Sequence, residues 1–505
     1  MRKILSGSWF LYLVVLVVAG TLYGISCAPG SLWQDSGLIQ YRVWHNDVQG
    51  FLGLAIAHPL YYLVAMGAKL LPLGTFGQRV NLVSAMAGAV AVANVYLLVR
   101  LWLGRNFPAV MAALTLAVSH TFWRHASIAE TYTLWTALFL GELIALLVYA
   151  RTKRTGYLCV LGLLNGLAVA VHMLAVIPGV SYAVLLVVLL TRRKIGAKVL
   201  ALTLVLWIVG ALPYEYLIVR QMIATGDIAS TLASAAFGDR WQGAVLNAHL
   251  SWQIVRENAS FFVLNFPTPN MLLFFIGVFA LFKMKPVPAF RFVVGALVVL
   301  FFVFAFRYTV PDRYAFFIPF YTLGAVVVGL GAHRVQSRVR RKGVLVLVAA
   351  FSLLPVAVYV AAPSLATRTH LTLSTRGDVP YRDDATFFLR PWKTGYRGAE
   401  RFAQEALAAA PAHAVIYADT TTVAPLLYAQ EVQRQRPDVW IITGLVRSRG
   451  ALRYGEDAFE ELVRARPVYV TSPRPGYCPP FVIDRYDLAQ SGLLWRVIER
   501  AAPMS

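Results

Sequence analysis

The sequence predicts a mostly α-helical, polytopic membrane bundle of about eleven transmembrane helices, followed by a small extracytoplasmic α/β domain. Three observations carry this reading. The 505-residue chain is 58% apolar and only 14% charged, with a mean hydropathy of +0.63; a soluble chain is nearer half apolar and a quarter charged. Apolar stretches of about 20 residues or slightly fewer, as a bilayer core of roughly 30 Å demands of a helix, recur from residue 8 to residue 362. Near residue 363 the character changes, and charges, prolines and short strand-like runs take over. A soluble enzyme and a disordered regulator are thereby excluded. Cys27, Cys159 and Cys478 are too few for a disulfide framework or a structural zinc site.

The expected spans are 8–28, 80–99, 108–123, 131–150, 157–173, 174–191, 199–219, 269–282, 292–308, 313–332 and 343–362. The stretches 108–123, 157–173 and 269–282 are the shortest. The first span follows Arg2 and Lys3, and its apolar run is longer than a usual signal-peptide core, so it reads as an uncleaved anchor. The segment 57–74 is apolar too, but Gly67, Lys69 and Pro72 interrupt it.

Charge decides how that segment lies. The net charge is +22; residues 363–505 hold 18 Lys and Arg against 15 Asp and Glu, so residues 1–362 hold 28 against nine. The excess therefore sits among the membrane loops, which argues against a nucleic-acid surface. If 57–74 does not cross, 19 of those 28 basic residues and none of the nine acids face the cytoplasm. If it crosses, every later loop inverts and 17 of the 19 face outward. Positive residues favour the cytoplasmic side, so 57–74 is expected to rest on the outer face as a juxtamembrane helix. The N-terminus is then cytoplasmic. Residues 1–362 form the membrane domain and 363–505 an extracytoplasmic domain, in which 413–419, 438–444 and 466–472 read as strands and 423–435 and 456–466 as helices.

This topology gathers polar residues on one side. Asp35 lies a few residues beyond the first span; it reads as a general base or cation ligand, or as the cap of a short helix at 36–45. His58 opens the juxtamembrane helix with Pro59 at its first turn. Arg124, His125 and Glu130 share one short loop, and His172 sits at another. Asp312, Arg313 and Tyr314 open a later span, and guanidinium suits phosphate geometrically. The long loop 220–268 adds Asp227, Asp239, Arg240, Trp241, His249, Trp252 and Glu257. Glu142 and Glu215 lie deeper, where ionisable groups are costly. Acids, His and Arg beside a lipid surface suit transfer from a lipid-phosphate-linked donor to a hydroxyl. A carboxylate would take the hydroxyl proton, and Arg or His would meet the charge on the departing phosphate.

Several motifs carry a resemblance. They are Asp35-Ser36-Gly37, Ala57-His58-Pro59-Leu60-Tyr61, Arg79-Val80-Asn81-Leu82-Val83-Ser84-Ala85, Ser119-His120-Thr121-Phe122-Trp123 with Ala129-Glu130-Thr131-Tyr132, and Asp312-Arg313-Tyr314 with Pro319. Tyr428-Ala429-Gln430-Glu431 and Arg436-Pro437-Asp438-Val439 add to it. Together they resemble the GT-C superfamily of membrane glycosyltransferases, and most closely a bacterial family related to the vertebrate plexin-domain protein O-mannosyltransferase. Leu38 stands where that family commonly has Glu, and Leu60 where it often has a second Pro.

The resemblance implies a GT-C-like fold in a bacterial inner or plasma membrane. It implies transfer of a sugar, with mannose the candidate, from a polyprenyl-phosphate donor to a protein, glycan or lipid hydroxyl. Asp35 would be the base and Glu130 the second acid; His58, Tyr61, Arg124, His125, His172, Arg313 and Tyr314 would bind substrate. Asp35 and Glu130 leave a shared divalent cation open, and no dedicated cage is present. A multi-pass transporter or flippase of a lipid-linked substrate is the alternative. It fits less well, because no internal repeat is apparent and polar groups gather at one face rather than mid-membrane.

Overall fold

The fold is described from a computed structural model, over residues 2–238, 242–245, 247, 250–283, 287–310, 312–339, 341–370, 373, 376–444 and 456–500. The membrane part comprises α1 (Arg2–Ser26), α2 (Gln34–Trp44), α3 (Pro59–Met66), α4 (Phe76–Leu103), α5 (Asn106–Ala117), α6 (His120–Ala126), α7 (Tyr132–Thr152), α8 (Gly156–Val171) and α9 (Val176–Thr191). It continues through α10 (Ala197–Thr225), α11 (Ile228–Phe237), α12 (Gln242–Val245), α13 (Trp252–Asn265), α14 (Met271–Lys283), α15 (Pro288–Arg307), α16 (Ile318–Arg338), α17 (Lys342–Phe351) and α18 (Leu354–Arg368).

Among the described residues, eight helical stretches are long and apolar enough to cross a membrane: Trp9–Ser26, Phe76–Leu103, Tyr132–Thr152, Met173–Thr191, Ala197–Thr225, Pro288–Arg307, Arg313–Arg338 and Lys342–Arg368. Each coincides with an expected span. The three shortest expected spans correspond to α5, α8 and α14, of 12, 16 and 13 residues. At 1.5 Å per residue these measure about 18–24 Å, less than a full bilayer core.

Burial orders the bundle. In the most apolar 18-residue window of Arg313–Arg338, 94% of residues are buried, against 22% for Ala197–Thr225, so α16 is central and α10 peripheral. Small residues allow the tightest contacts, as expected where packing rather than the hydrophobic effect drives helix association. A Cβ on Gly277 of α14 would lie 1.9 Å from the Val327 carbonyl of α16, and one on Gly331 of α16 would lie 1.9 Å from that of Leu273.

The segment 57–74 is not among the eight stretches; Leu54–Leu70 is one of the shorter apolar helical runs. Helix α3 has eight residues, about 12 Å. A 3₁₀ turn (Gly67–Leu70) follows, and the chain turns extended at Leu71, ahead of Pro72.

Beyond α18 the chain forms α19 (Asp384–Leu389), α20 (Gly398–Ala409), α21 (Val423–Leu427), α22 (Glu456–Ala465) and α23 (Pro480–Arg485) around one sheet. Its strands are β1 (Val415–Tyr417), β2 (Trp440–Ile442), β3 (Val468–Val470), β4 (Tyr486–Ser491) and β5 (Leu494–Glu499), in the order β2-β1-β3-β5-β4. The first three are the expected strands and pair in parallel, Val415 with Trp440 and with Val468. The antiparallel β4–β5 hairpin was not expected. The expected helix 423–435 is α21 running into a π-helical turn at Tyr428–Val432.

This sheet domain is fastened to the bundle. Ala28, Leu32, Trp33 and Ile128 belong to the same apolar core as Phe402, Ile416 and Leu426. Trp33 Nε1 donates to Tyr396 OH at 2.6 Å, and Gly77 N donates to Tyr428 OH at 2.8 Å.

Candidate active site

Helix α2 presents Asp35 in its first turn, with Trp33 in the capping position and no side-chain cap. The negative charge at a helix N-terminus is favourable. The helix start is bolted down by Gln40. Its Oε1 accepts from Leu32 N at 3.2 Å, and its Nε2 donates to Asn81 Oδ1 at 3.0 Å and to the carbonyls of Gly30 and Gly77. Asn81 in turn donates to Ala28 O at 2.9 Å.

The three residues of the Asp35-Ser36-Gly37 motif thus have separate tasks. Asp35 is an exposed residue whose carboxyl has protein around it. Ser36 Oγ donates to Glu130 Oε1 at 3.3 Å. Gly37 allows close approach, since a Cβ there would lie 2.1 Å from Leu32 O and 2.9 Å from Ala424 Cβ.

Glu130 is held by its backbone. Ser84 Oγ donates to Glu130 O and accepts from Glu130 N, both at 2.9 Å. The hydroxyl proton of Ser84 being so used, Tyr61 OH is the donor in its 2.9 Å bond to Ser84. Asp312 completes an acidic cluster. Burial pushes Glu130 up to about 8, helped by the charges of Asp35 and Asp312 and opposed by Arg124. Burial and the Asp35 charge push Asp312 up to about 6. Burial also raises Asp35. Like charges oppose joint ionisation, and Glu130 is raised further than Asp312.

A cationic and aromatic wall faces the acids. Arg124 Nη1 donates to Tyr314 OH at 2.6 Å. Ring contacts run from Tyr314 to His125 (6.0 Å between centroids), to Tyr132 (5.2 Å), to His172 (5.1 Å) and to His58 (4.8 Å). His58 adopts the left-handed conformation at φ +53° immediately before Pro59, costly for a non-glycine residue in that position. Gln34, beside Asp35, is also left-handed at φ +50°.

The histidine tautomers follow from their partners. His58 Nδ1 lies 2.8 Å from Val171 O and must donate, leaving Nε2 as an acceptor. His172 Nδ1 accepts from Leu174 N at 3.1 Å, so its Nε2 carries the proton. Burial pushes His58 down to about 4 and His172 well below the usual range, so both are neutral. His172 can therefore donate a hydrogen bond without adding charge.

Asp35, His58, Tyr61, Arg124, His125, Glu130, His172 and Tyr314 thus belong to one end of the bundle. Arg313 does not join them; it pairs with Glu257 and lies over Phe261. Its neighbour Asp312 faces the acids instead, a role that sequence reasoning did not assign. Glu142 sits apart within α7, accepting from Asn165 at 3.3 Å. Glu215 lines an apolar groove of about 330 Å³ with Val176, Trp207 and Tyr214. Asp239, Arg240, Trp241 and His249 lie outside the described residues. Among the described residues, no three His, Cys, Asp or Glu side chains are placed to hold a metal ion.

Known proteins share parts of this chain. Residues 53–195 match the family described as the Protein O-mannosyl-transferase TMEM260 N-terminal domain. The segment includes His58, Tyr61, Arg124, His125, Glu130 and His172, and excludes Asp35 and Asp312. The chain is 28% identical over 187 residues to Protein O-mannosyl-transferase TMEM260 of Mus musculus, covering 34% of this chain and 26% of that protein. The chain thus spans about a quarter of the length of this curated relative. ArnT from Cupriavidus metallidurans, solved bound to undecaprenyl phosphate, superimposes with a TM-score of 0.62 at 15% identity, over 97% of this chain and 98% of that one. The archaeal oligosaccharyltransferase AglB from Archaeoglobus fulgidus, solved with an inhibitory peptide and a dolichol-phosphate, gives a TM-score of 0.48 at 13% identity, over 92% and 69%. Over nearly its whole length this chain has an ArnT-like fold, and its residues 53–195 are similar to the TMEM260 N-terminal domain.

Proposed function

We propose that this chain is a membrane glycosyltransferase that moves a sugar from a polyprenyl-phosphate donor to a hydroxyl acceptor on the non-cytoplasmic side. Asp35 takes the proton of the acceptor hydroxyl as its oxygen attacks the anomeric carbon. The bond from that carbon to the phosphate oxygen breaks, and the phosphate leaves with the electron pair. Arg124 and the neutral His172 meet the charge that develops there. Glu130, protonated at neutral pH, lowers the negative charge around Asp35 and hydrogen-bonds the sugar. Attack opposite the leaving phosphate inverts the anomeric configuration.

The observation that carries this reading is the gathering of Asp35, Glu130 and Asp312 with Arg124 at one end of the bundle, where the Asp35 charge raises both Glu130 and Asp312 and Arg124 opposes the rise. The GT-C fold and the TMEM260-related segment support it. The relatives suggest the substrates: undecaprenyl phosphate is bound in the ArnT structure, and the mouse protein is named an O-mannosyl-transferase. Mannose on a polyprenyl phosphate and a protein hydroxyl are therefore the first substrates to test. The positive-inside tendency of the arginine- and lysine-rich loops supports a site outside the cytoplasm.

The test is transfer by the purified chain in nanodiscs, from polyprenyl-phosphate mannose to Ser- and Thr-containing peptides, with the product anomer read by NMR. The reading expects a single, inverted anomer. Retention of configuration, or lipid movement across the bilayer without any transfer, would contradict it.

A further inference from the structure

Arg124 is buried, with 8% of its surface exposed, yet no ion pair among the described residues involves it, and its Nε has no hydrogen-bond partner there. Aromatic rings surround it instead. Its guanidinium carbon lies 5.3 Å from the Phe387 ring centroid, 5.6 Å from that of Phe388 and 5.4 Å from that of Tyr314. Two of these rings come from α19, in the segment leaving the last membrane helix, more than 260 residues along the chain.

That segment is fixed independently of Arg124. The Phe388 carbonyl accepts from His120 Nε2 at 2.7 Å. Phe387 packs on Tyr396 at 4.9 Å, and Lys393 N donates to Ser26 O at 2.7 Å. A guanidinium oriented by a carboxylate is largely neutralised. One oriented by ring faces is held in place with its charge intact, because a ring attracts the cation through its quadrupole.

We propose that Phe387 and Phe388 are positioning residues: they hold Arg124 by their ring faces, so that its undiminished charge meets the phosphate of the donor. This rests on the glycosyltransferase reading and extends it, by making the segment after the last membrane helix part of the phosphate subsite.

The experiment separates ring electrostatics from packing. Phe387 and Phe388 are each changed to Leu, to Tyr, and to a series of increasingly fluorinated phenylalanines, in the full chain in nanodiscs. kcat/KM for the lipid donor, KM for the acceptor and affinity for a short-chain prenyl phosphate without turnover are measured. Thermal melts report folding. The Leu variants should lose on the order of tenfold in kcat/KM for donor and in prenyl-phosphate affinity. Tyr should restore both, fluorination should lower both stepwise, and acceptor KM should stay unchanged. Arg124→Gln should abolish the dependence on fluorination. Equal values for Leu and Tyr, or a flat fluorine series while Arg124→Gln loses prenyl-phosphate affinity, would overturn this inference alone. Full transfer by an Asp35→Asn chain would overturn the underlying reading instead.

Discussion

Gly37 lies two residues beyond Asp35, on the face of α2 that presses against the loop before it. Replacing it by Ala adds one methyl, whose carbon would stand 2.1 Å from Leu32 O and 2.9 Å from Ala424 Cβ. The first obstacle is backbone, so no side chain can swing aside. Restoring even a tight 3.0 Å separation requires α2 to move by about 1 Å, the difference between 3.0 and 2.1 Å. The Gln40 and Asn81 bonds that seat the helix would stretch with it. Overpacking of this kind costs about 1–3 kcal/mol, and a misplacement of about 1 Å at a reacting group can cost on the order of a hundredfold in rate. Arg124 and His172 sit on other elements and would not move. Gly37→Ala should therefore cut kcat by about two orders of magnitude and leave prenyl-phosphate affinity within a few-fold. Gly20→Ala on α1 is the control, since its new methyl would meet only Ala89 Cβ at 3.8 Å. Transfer kinetics and melts in nanodiscs would report all of these quantities. A Gly37→Ala chain with unchanged kcat, or one that loses donor affinity as steeply as rate, would refute the assignment of this turn as the seat of the base.

Other perturbations have equally definite outcomes. Glu130 is raised to about 8; a carboxyl whose folded pKa is raised contributes stability that is complete below its unfolded value and is lost as pH rises through about 8. Glu130→Gln, which cannot ionise, should therefore gain on the natural chain as pH rises from the ordinary carboxyl range to about 8 and level off above it; parallel curves across that window would count against a buried, protonated Glu130. In the sheet domain, Arg376 grips Asp419 through two nitrogens at 2.8 and 3.1 Å, with both residues buried. Asp419→Ala leaves that guanidinium Asp378 as its carboxylate partner, at 3.2 Å from its Nε, and should cost about 2–3 kcal/mol, seen as earlier proteolysis of residues beyond 376 with the membrane helices intact.

The sequence reveals some of this arrangement because its physics is local or additive. Lysines and arginines count up along the chain whatever the fold, and they predict that 57–74 stays off the membrane-crossing path; it is not among the eight stretches long and apolar enough to cross. Long apolar runs identify α4, α7 and α10 directly. The β4–β5 hairpin carried a signal too, the two-residue Gly492-Leu493 turn with Gly492 at φ +62°. Its weak alternation hid it.

Other features depend on geometry that no short window contains. Asp312 and Arg313 are adjacent at the start of a 3₁₀ turn, where each residue rotates the side chain by about a third of a circle. Sequence could not tell which of them faces the acids. The rings around Arg124 come from residues 387 and 388, and only tertiary packing brings them there. The task of Ser84, bridging Tyr61 to the Glu130 backbone, depends likewise on three separate elements meeting.

The most direct test of the central claim is sugar transfer by Asp35→Asn, measured beside the natural chain at equal folded concentration. Removing a general base should reduce kcat by about 10² to 10⁴, with donor affinity and melting temperature little changed. A variant that transfers sugar at the natural rate would contradict the claim that Asp35 activates the acceptor.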